Sequence, residues 1–597
     1  MRNIRLLSCV FALLLPFFAY ADERSYEQAR NIAEEFFRHS LPTRSFSYDL
    51  ELVWTGENVD TKAGAESPAL YVFDNASGPG FIIVSGDDSS LPVLGYSFEH
   101  EFVTSGMPVN VKGWLNGMEE EILFARKSGM RPYPVTKAST DAGLVLRQYN
   151  TALWDQTYPY NSKCPVINGQ NAYTGCVATA IAIVMKHHEW PDAGTGTIPG
   201  YVTSSYNVNV PEIRLGYAYD WDNMLSDYEG AYTEAQKDAV ARLIADCGAM
   251  VKADYGPIGS EGTSAYSSDI PSAISVYMKY DQSVSEYYRG SYTDEEWNGM
   301  LRKELDDNGP VLYRGQSSEG GHMFVLEAYT NKNYYGVNWG WSGYCNGYFA
   351  LTSLQPEDYG SGGSGGGFTA YQSAILGLHK DQGGKARDHI EFMTFNSDVK
   401  EYRGISSSVS SFKTGVPFDV SFGLTTNHST SEYNGRIGLA VADEDNTVKE
   451  MLSQVDIKGL PSGYGYYFDW TVTITQPVQV GDQLIAVYYD NETSSWVKIR
   501  GSREYGITDS IQLTDGKVLE STTSLRYDSA RRKVTLKVAE GVSVTVYDSA
   551  GADLSSFVSA SGDEMVIDAS DFAGGRYKLV LQNDTEVKEL YFVLGEK

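Results

Sequence analysis

The segment Tyr173-Thr174-Gly175-Cys176-Val177-Ala178-Thr179-Ala180-Ile181-Ala182 constrains the fold of this 597-residue chain more than any other. Behind Gly175 the residues are small and apolar at helical spacing, which predicts a buried helix with Cys176 at its N-terminal end. There the helix dipole and the free backbone N–H groups favour the thiolate, the nucleophilic form of cysteine. A buried structural thiol is the competing reading. The rest of the chain has to decide between them.

A thiolate nucleophile needs a base, and histidine is the usual one. His39 and His100 fall in an N-terminal unit. His389 and His428 fall in a strand-rich C-terminal part, where they read as ordinary surface or loop residues. His187 and His188 share the helix of Cys176, and eleven residues at about 1.5 Å each put His187 about 16 Å away. His379 follows a glycine-rich stretch at a domain edge. His322 is left, opening the apolar strand Met323-Phe324-Val325-Leu326 after Gly320-Gly321, where a backbone can pass close to a substrate. Its competing reading is a satisfied histidine at a strand start. Downstream, in Val337-Asn338-Trp339-Gly340-Trp341-Ser342-Gly343, Asn338 can orient the imidazole and Trp339 can shield that hydrogen bond from water. An aromatic-rich strand and turn is the bland alternative. The order Cys, His, Asn is that of papain-like proteases. Acyl transfer also needs donors for an oxyanion: the Cys176 N–H is one, and a side-chain amide from Gln170 or Gln156 would be the other.

The length and a hydrophobic content of 42% allow three or four domains. A formal charge of -30 argues against nucleic acid or an anionic membrane as the main partner, and the acidity reads as solubility. Arg2 and Arg5 precede an apolar run from Leu6 to Tyr20, and Ala19-Tyr20-Ala21 has the small-x-small cleavage pattern, so residues 1–21 read as a secretory signal. No later segment is apolar and long enough to span a bilayer. The expected product is extracellular and soluble, or attached to an outer surface by other means. Past the signal only Cys164, Cys176, Cys247 and Cys345 remain, with no CxxC pair and no zinc-like spacing. That excludes a disulfide scaffold, and no metal or cofactor is expected.

The fold class is α+β. Residues 22–143 form a small α+β unit with helices over Tyr26 to Phe37 and Val111 to Lys127. Residues 144–382 mix helices, one of them over Ala231 to Ala249, with the strands Pro310 to Tyr313, Met323 to Ala328 and Tyr334 to Trp339. Near its end the octapeptide 360–367 reads as a flap or linker. Two β-sandwich-like modules follow, 388–510 and 518–597, with alternating strands, no cysteine and no convincing catalytic group.

The motifs resemble the streptopain family of bacterial cysteine peptidases. They are Thr174-Gly175-Cys176-Val177-Ala178-Thr179-Ala180, Met185-Lys186-His187-His188, Asp254-Tyr255-Gly256-Pro257, Gly320-Gly321-His322, Val337-Asn338-Trp339-Gly340-Trp341, Gly365-Gly366-Gly367-Phe368 and Tyr371-Gln372-Ser373-Ala374. In the N-terminal unit, Gly80 to Asp87 and Leu94 to Ser97 resemble that family's inhibitory prodomain. The resemblance implies a papain-like peptidase domain, a zymogen held by its own prodomain, and broad endopeptidase activity on extracellular proteins. It favours Gln156 over Gln170 for the oxyanion hole, and it implies substrate main-chain contacts at Ser264 and at the backbone of Gly321. It also implies an apolar or β-branched residue in the second substrate position before the cut. The last module looks like the C-terminal sorting domains of type IX secretion, which would contact the cell surface or the secretion machinery, though it lacks their Arg after Ser549-Ala550-Gly551. The rival functions are a transglutaminase-like acyl transferase, against which Asn338 weighs, and a non-catalytic surface adhesin.

Overall fold

The structure is a computed structural model that describes residues 22–594 except 41–47, 57–66, 129–132, 134–140, 261, 318–319, 353–371, 384, 393–403, 410–411, 480, 503–506, 514–524, 529–531, 539–541, 549–551, 562–563, 574 and 583–586. The signal reading for 1–21 and the octapeptide 360–367 therefore lie outside the described residues.

In the N-terminal unit the helix Tyr26–Ser40 buries Ala29, Ala33, Phe36 and Phe37, the face its 3.6-residue period selects. It lies on an antiparallel meander of Leu50–Trp54, Leu70–Asn75, Phe81–Ser85 and Val93–Ser97. The meander does not stop at its own edge. Its last strand pairs with Gly347–Ala350, Tyr96 opposite Tyr348 and Gly95 opposite Phe349, so one 11-stranded sheet runs through both the N-terminal unit and the central region. Gly95 permits that approach, because a Cβ there would sit 2.7 Å from the Phe349 ring. The second helix, Val109–Ser128, fills the groove behind the sheet. Its Val111, Trp114, Leu115, Met118 and Ile122 share one core with Phe324, Leu326, Val337, Trp339 and Phe349 of the central region.

On from Gly347–Ala350 the sheet continues through Tyr334–Asn338, Gly320–Thr330, Val311–Ser317, Ser373–Leu376 and finally Ser285–Tyr288, with Val145–Gln148 on a flank of Gly320–Thr330. The opposite face carries the helices Cys176–His188 and Glu234–Met250, whose Ile181, Val184, Val240 and Ile244 pack with Met323 and Val325. The second of these begins three residues later than the periodicity suggests, at Glu234. Thr233 caps it there, its side chain accepting from Gln236 N while the Gln236 side chain accepts from Thr233 N.

Beyond the central region, one four-stranded and one five-stranded antiparallel sheet enclose a core that includes Phe418, Phe422, Leu439 and Leu484. A four-stranded and a three-stranded sheet then enclose Val534, Leu536, Val546 and Leu579. One expectation is overturned here. His389 is buried and His428 largely so, because both are pressed against the outermost strand of the long sheet, Ser285–Tyr288. Both do stand in loops, His389 just before the strand Ile390–Phe392 and His428 just after Pro417–Asn427, but neither is an ordinary surface histidine.

Candidate active site

Cys176 is the first residue of its helix, and Gly175 is what lets the chain turn into it. Gly175 has φ 86° and ψ 146°, and a Cβ there would meet Thr263 O at 2.9 Å. Both the backbone angle and the space require glycine. The Cys176 Sγ accepts a hydrogen bond from Met323 N at 3.5 Å. Burial raises the thiol pKa. The N–H groups of Met323, Val177 and Cys176 itself, and last the Arg314 charge, pull the other way without offsetting it.

His322 is the third residue of its strand rather than the first, opposite Gly315. Side chains alternate along a strand. Met323 and Val325 join the core under the cysteine helix, whereas Phe324 and Leu326 join the core shared with the N-terminal unit. His322 takes the side of Phe324. The thiol's hydrogen bond to this strand comes from the next backbone N–H, that of Met323. Burial holds the imidazole down to a pKa of about 4. In this arrangement a neutral thiol at the head of its helix lies against the backbone N–H next to the neutral imidazole of His322.

Asn338 is fully buried on the neighbouring strand, opposite Val325. Its Nδ2 donates to Thr151 Oγ1 at 2.7 Å and Ala152 O at 2.9 Å, and its Oδ1 accepts from Gly340 N at 3.0 Å. These bonds fasten the start of the Gln156 loop to the turn after the strand, and none goes to His322. Trp339 faces the shared core. Its Nε1 donates to Cys345 O at 3.0 Å, its ring lies 4.8 Å from Phe324, and its carbonyl accepts from Asn110 Nδ2 of the N-terminal unit.

Of the two glutamines, Gln156 is buried and its carbonyl accepts from Thr174 N at 3.1 Å, two residues before Cys176. Gln170 is exposed on a two-residue strand paired with Val166–Ile167. Asp155 holds the Gln156 loop and was missed by sequence reasoning. Its Oδ1 accepts from Gln156 N at 2.6 Å and Thr157 N at 2.9 Å, and its Oδ2 from Ser342 Oγ at 3.0 Å. The signal available was an Asp ahead of Thr157 in a turn, the usual Asx arrangement. Ser264 is exposed, and its backbone N–H and C=O are both taken by Asp254, so only its hydroxyl is left for a ligand. Gly321 is exposed beside the Arg314 guanidinium, whose Nη2 would lie 3.3 Å from a Cβ at this position.

A cysteine at the N-terminus of a buried helix, a histidine-bearing strand beside it and an N-terminal unit joined to the same sheet fit a cysteine peptidase with an N-terminal propeptide. Comparison with known proteins agrees. Residues 154–349 match the peptidase C10 family and residues 21–122 the Spi protease inhibitor family. Streptopain of Streptococcus pyogenes serotype M1 is 35% identical over 404 residues, covering 63% of this chain and 98% of streptopain. The thiol protease/hemagglutinin PrtT of Porphyromonas gingivalis is 31% identical over 366 residues, 59% of this chain and 41% of that protein. A prointerpain A fragment of Prevotella intermedia has 28% identity and a TM-score of 0.45, over 57% of this chain and 100% of the fragment. The chain belongs to the streptopain, or peptidase C10, family of cysteine peptidases.

Proposed function

We propose that this chain is the latent precursor of a secreted endopeptidase whose nucleophile is Cys176 and whose general base is His322. In the active arrangement the imidazole takes the thiol proton, and Sγ attacks the peptide carbonyl. The oxyanion is held by the Cys176 N–H and the Gln156 side-chain amide. The imidazolium returns its proton to the leaving amine, and water, deprotonated by the same imidazole, hydrolyses the acyl-enzyme. Asn338 and Trp339 would orient and shield the base, Asn338 by way of the lone pairs of its Oδ1. The substrate main chain would run along Gly321 and the Ser264 hydroxyl.

The observation that carries this reading is Cys176 Sγ at the head of its helix, 3.5 Å from the backbone N–H next to His322. The thiol raised and the imidazole lowered by burial fit a precursor in which residues 22–143 act as an intramolecular inhibitor and 144–382 as the peptidase domain. Residues 388–510 and 518–597 are read as β-sandwich modules, the last as a surface or secretion-machinery contact. The patterned residues 1–21 support export.

A casein gel and an amine-incorporation assay test the reading together. Wild-type chain should clear casein, and Cys176→Ala and His322→Ala should each abolish clearing to a similar extent, because nucleophile and base act as a unit. Clearing by the Cys176 variant would refute the assignment. Amine incorporation without clearing would instead favour an acyl transferase.

A further inference from the structure

Where the first C-terminal module meets the long sheet, four side chains far apart in sequence close into one buried polar cluster. His389 Nδ1 lies 2.7 Å from Ser285 Oγ, and its Nε2 lies 3.1 Å from Glu391 Oε1. Ser285 Oγ donates to His428 O at 3.1 Å. The His428 ring sits 5.5 Å from that of His389, and its Nε2 is buried with no hydrogen-bond partner. Tyr287 stacks on His389 at 4.5 Å, and Tyr288 meets His428 edge-on at 5.9 Å. The strand supplying Ser285 is the last of the 11-stranded sheet, the kind of open edge that proteins usually cover.

Hydrogen-bond accounting fixes where protons sit. Ser285 has one hydroxyl proton, and it goes to His428 O, so His389 Nδ1 must be the donor to Ser285 Oγ. Glu391 accepts from Tyr292 OH at 2.9 Å and Ser291 Oγ at 3.3 Å. His389 Nε2 lies against the same carboxylate, so Glu391 is already engaged by three neighbours. The other charges nearby are already engaged. Glu286 accepts from Ser373 and Tyr288, Arg500 pairs with Glu296 at 2.8 Å over the Tyr292 ring, and Arg387 pairs with Glu492 at the rim. The Tyr488 hydroxyl is occupied by Asp388 O. No carboxylate is left over to receive a further proton's charge.

We propose that Ser285, His389, Glu391 and His428 form an acid-sensitive clasp that seats the first C-terminal module on the edge of the peptidase sheet and releases it when the pH falls. Adding a proton to His428 places a buried charge beside the His389 ring, with Glu391 already engaged and no partner for the His428 Nε2. Burial, then the charge of His389, hold His428 down to a pKa of about 4 while the module is seated. In the released state the ring regains an ordinary value of about 6.5. The released state therefore binds the extra proton first. The seating equilibrium is nearly undiminished above about pH 7 and falls by up to about tenfold per pH unit below about pH 6.5, about 150-fold by pH 4 and about 300-fold at the acid limit.

Hydrogen exchange on the full-length Cys176→Ala chain between pH 7.5 and 4.5, corrected for intrinsic rates, tests the clasp. Peptides covering 284–292 and 388–392 should lose protection progressively below about pH 6, while 320–330 keeps its own. His428→Asn should hold the interface closed to lower pH, and Glu391→Gln should open it already at pH 7.5. Unchanged protection at the interface down to pH 4.5 would overturn the proposal. So would loss of protection throughout the chain at one common pH, or a His428→Asn chain that opens as the wild type does.

Discussion

Trp114 is the side chain through which the N-terminal unit grips the peptidase, and truncating it should unlock the site. It is 1% exposed, and its aromatic neighbours are Phe324 at 5.6 Å, edge-on, and Trp339 at 6.0 Å, both belonging to the central region. Trp114→Ala removes a buried aromatic from a core the two units share, at a cost of about 3–5 kcal/mol. Because both aromatic partners lie across the boundary, most of that cost falls on the closed arrangement rather than on the folding of either unit. The fraction of precursor with the helix lifted should rise about 10²- to 10³-fold. The assay is the alkylation rate of Cys176 in intact precursor by iodoacetamide, with Cys164, Cys247 and Cys345 as buried internal controls. Wild-type precursor should react slowly and Trp114→Ala at least tenfold faster, with earlier peptide hydrolysis. If Trp114→Ala precursor, shown folded by near-ultraviolet circular dichroism, were alkylated at the wild-type rate, the shared core would not be the latch.

Two further substitutions bear on the catalytic geometry. Gln156→Ala should lower kcat by about 10²- to 10³-fold with a small change in KM, as loss of an oxyanion donor does, whereas Gln170→Ala should leave kcat within twofold; steady-state kinetics on one peptide substrate checks both. Gly175→Ala should destabilise the chain by about 1–3 kcal/mol, because φ is positive there and the new Cβ meets Thr263 O, and it should lower activity further by displacing Cys176; a melting curve beside the kinetics separates the two effects.

What could be read from the chain and what could not divide along a physical line. The cysteine helix, the helix of Phe36 and Phe37, and the alternating strands were legible because each carries its own period, and a period reports burial by whatever lies alongside. The glycine before the nucleophile and the Gly-Gly-His and Asn-Trp motifs were legible for the same local reason. Partners are another matter. Nothing around Tyr96 or Phe349 says that Val93–Ser97 and Gly347–Ala350 pair, some 250 residues apart, and so make one sheet of two units. His389 and His428 stand among polar neighbours in sequence, and only the strand Ser285–Tyr288, about a hundred residues earlier, encloses them. Their misreading as surface residues follows from that distance.

The same limit bears on the site itself. The residue types of a thiol peptidase can be picked out of the sequence, but their charges cannot, because charge is set by what covers them. His322 is held neutral by burial, and the core on its side of the strand is completed by the helix Val109–Ser128 of the N-terminal unit. A group whose pKa is lowered by a removable cover recovers it when the cover leaves. Withdrawal of that helix would thus do two things at once. It opens the groove to substrate, and it returns the imidazole toward a range in which it can accept the Cys176 proton near neutral pH. If residues 22–143 act as the proposed inhibitor, latency is a protonation state as much as a blocked cleft.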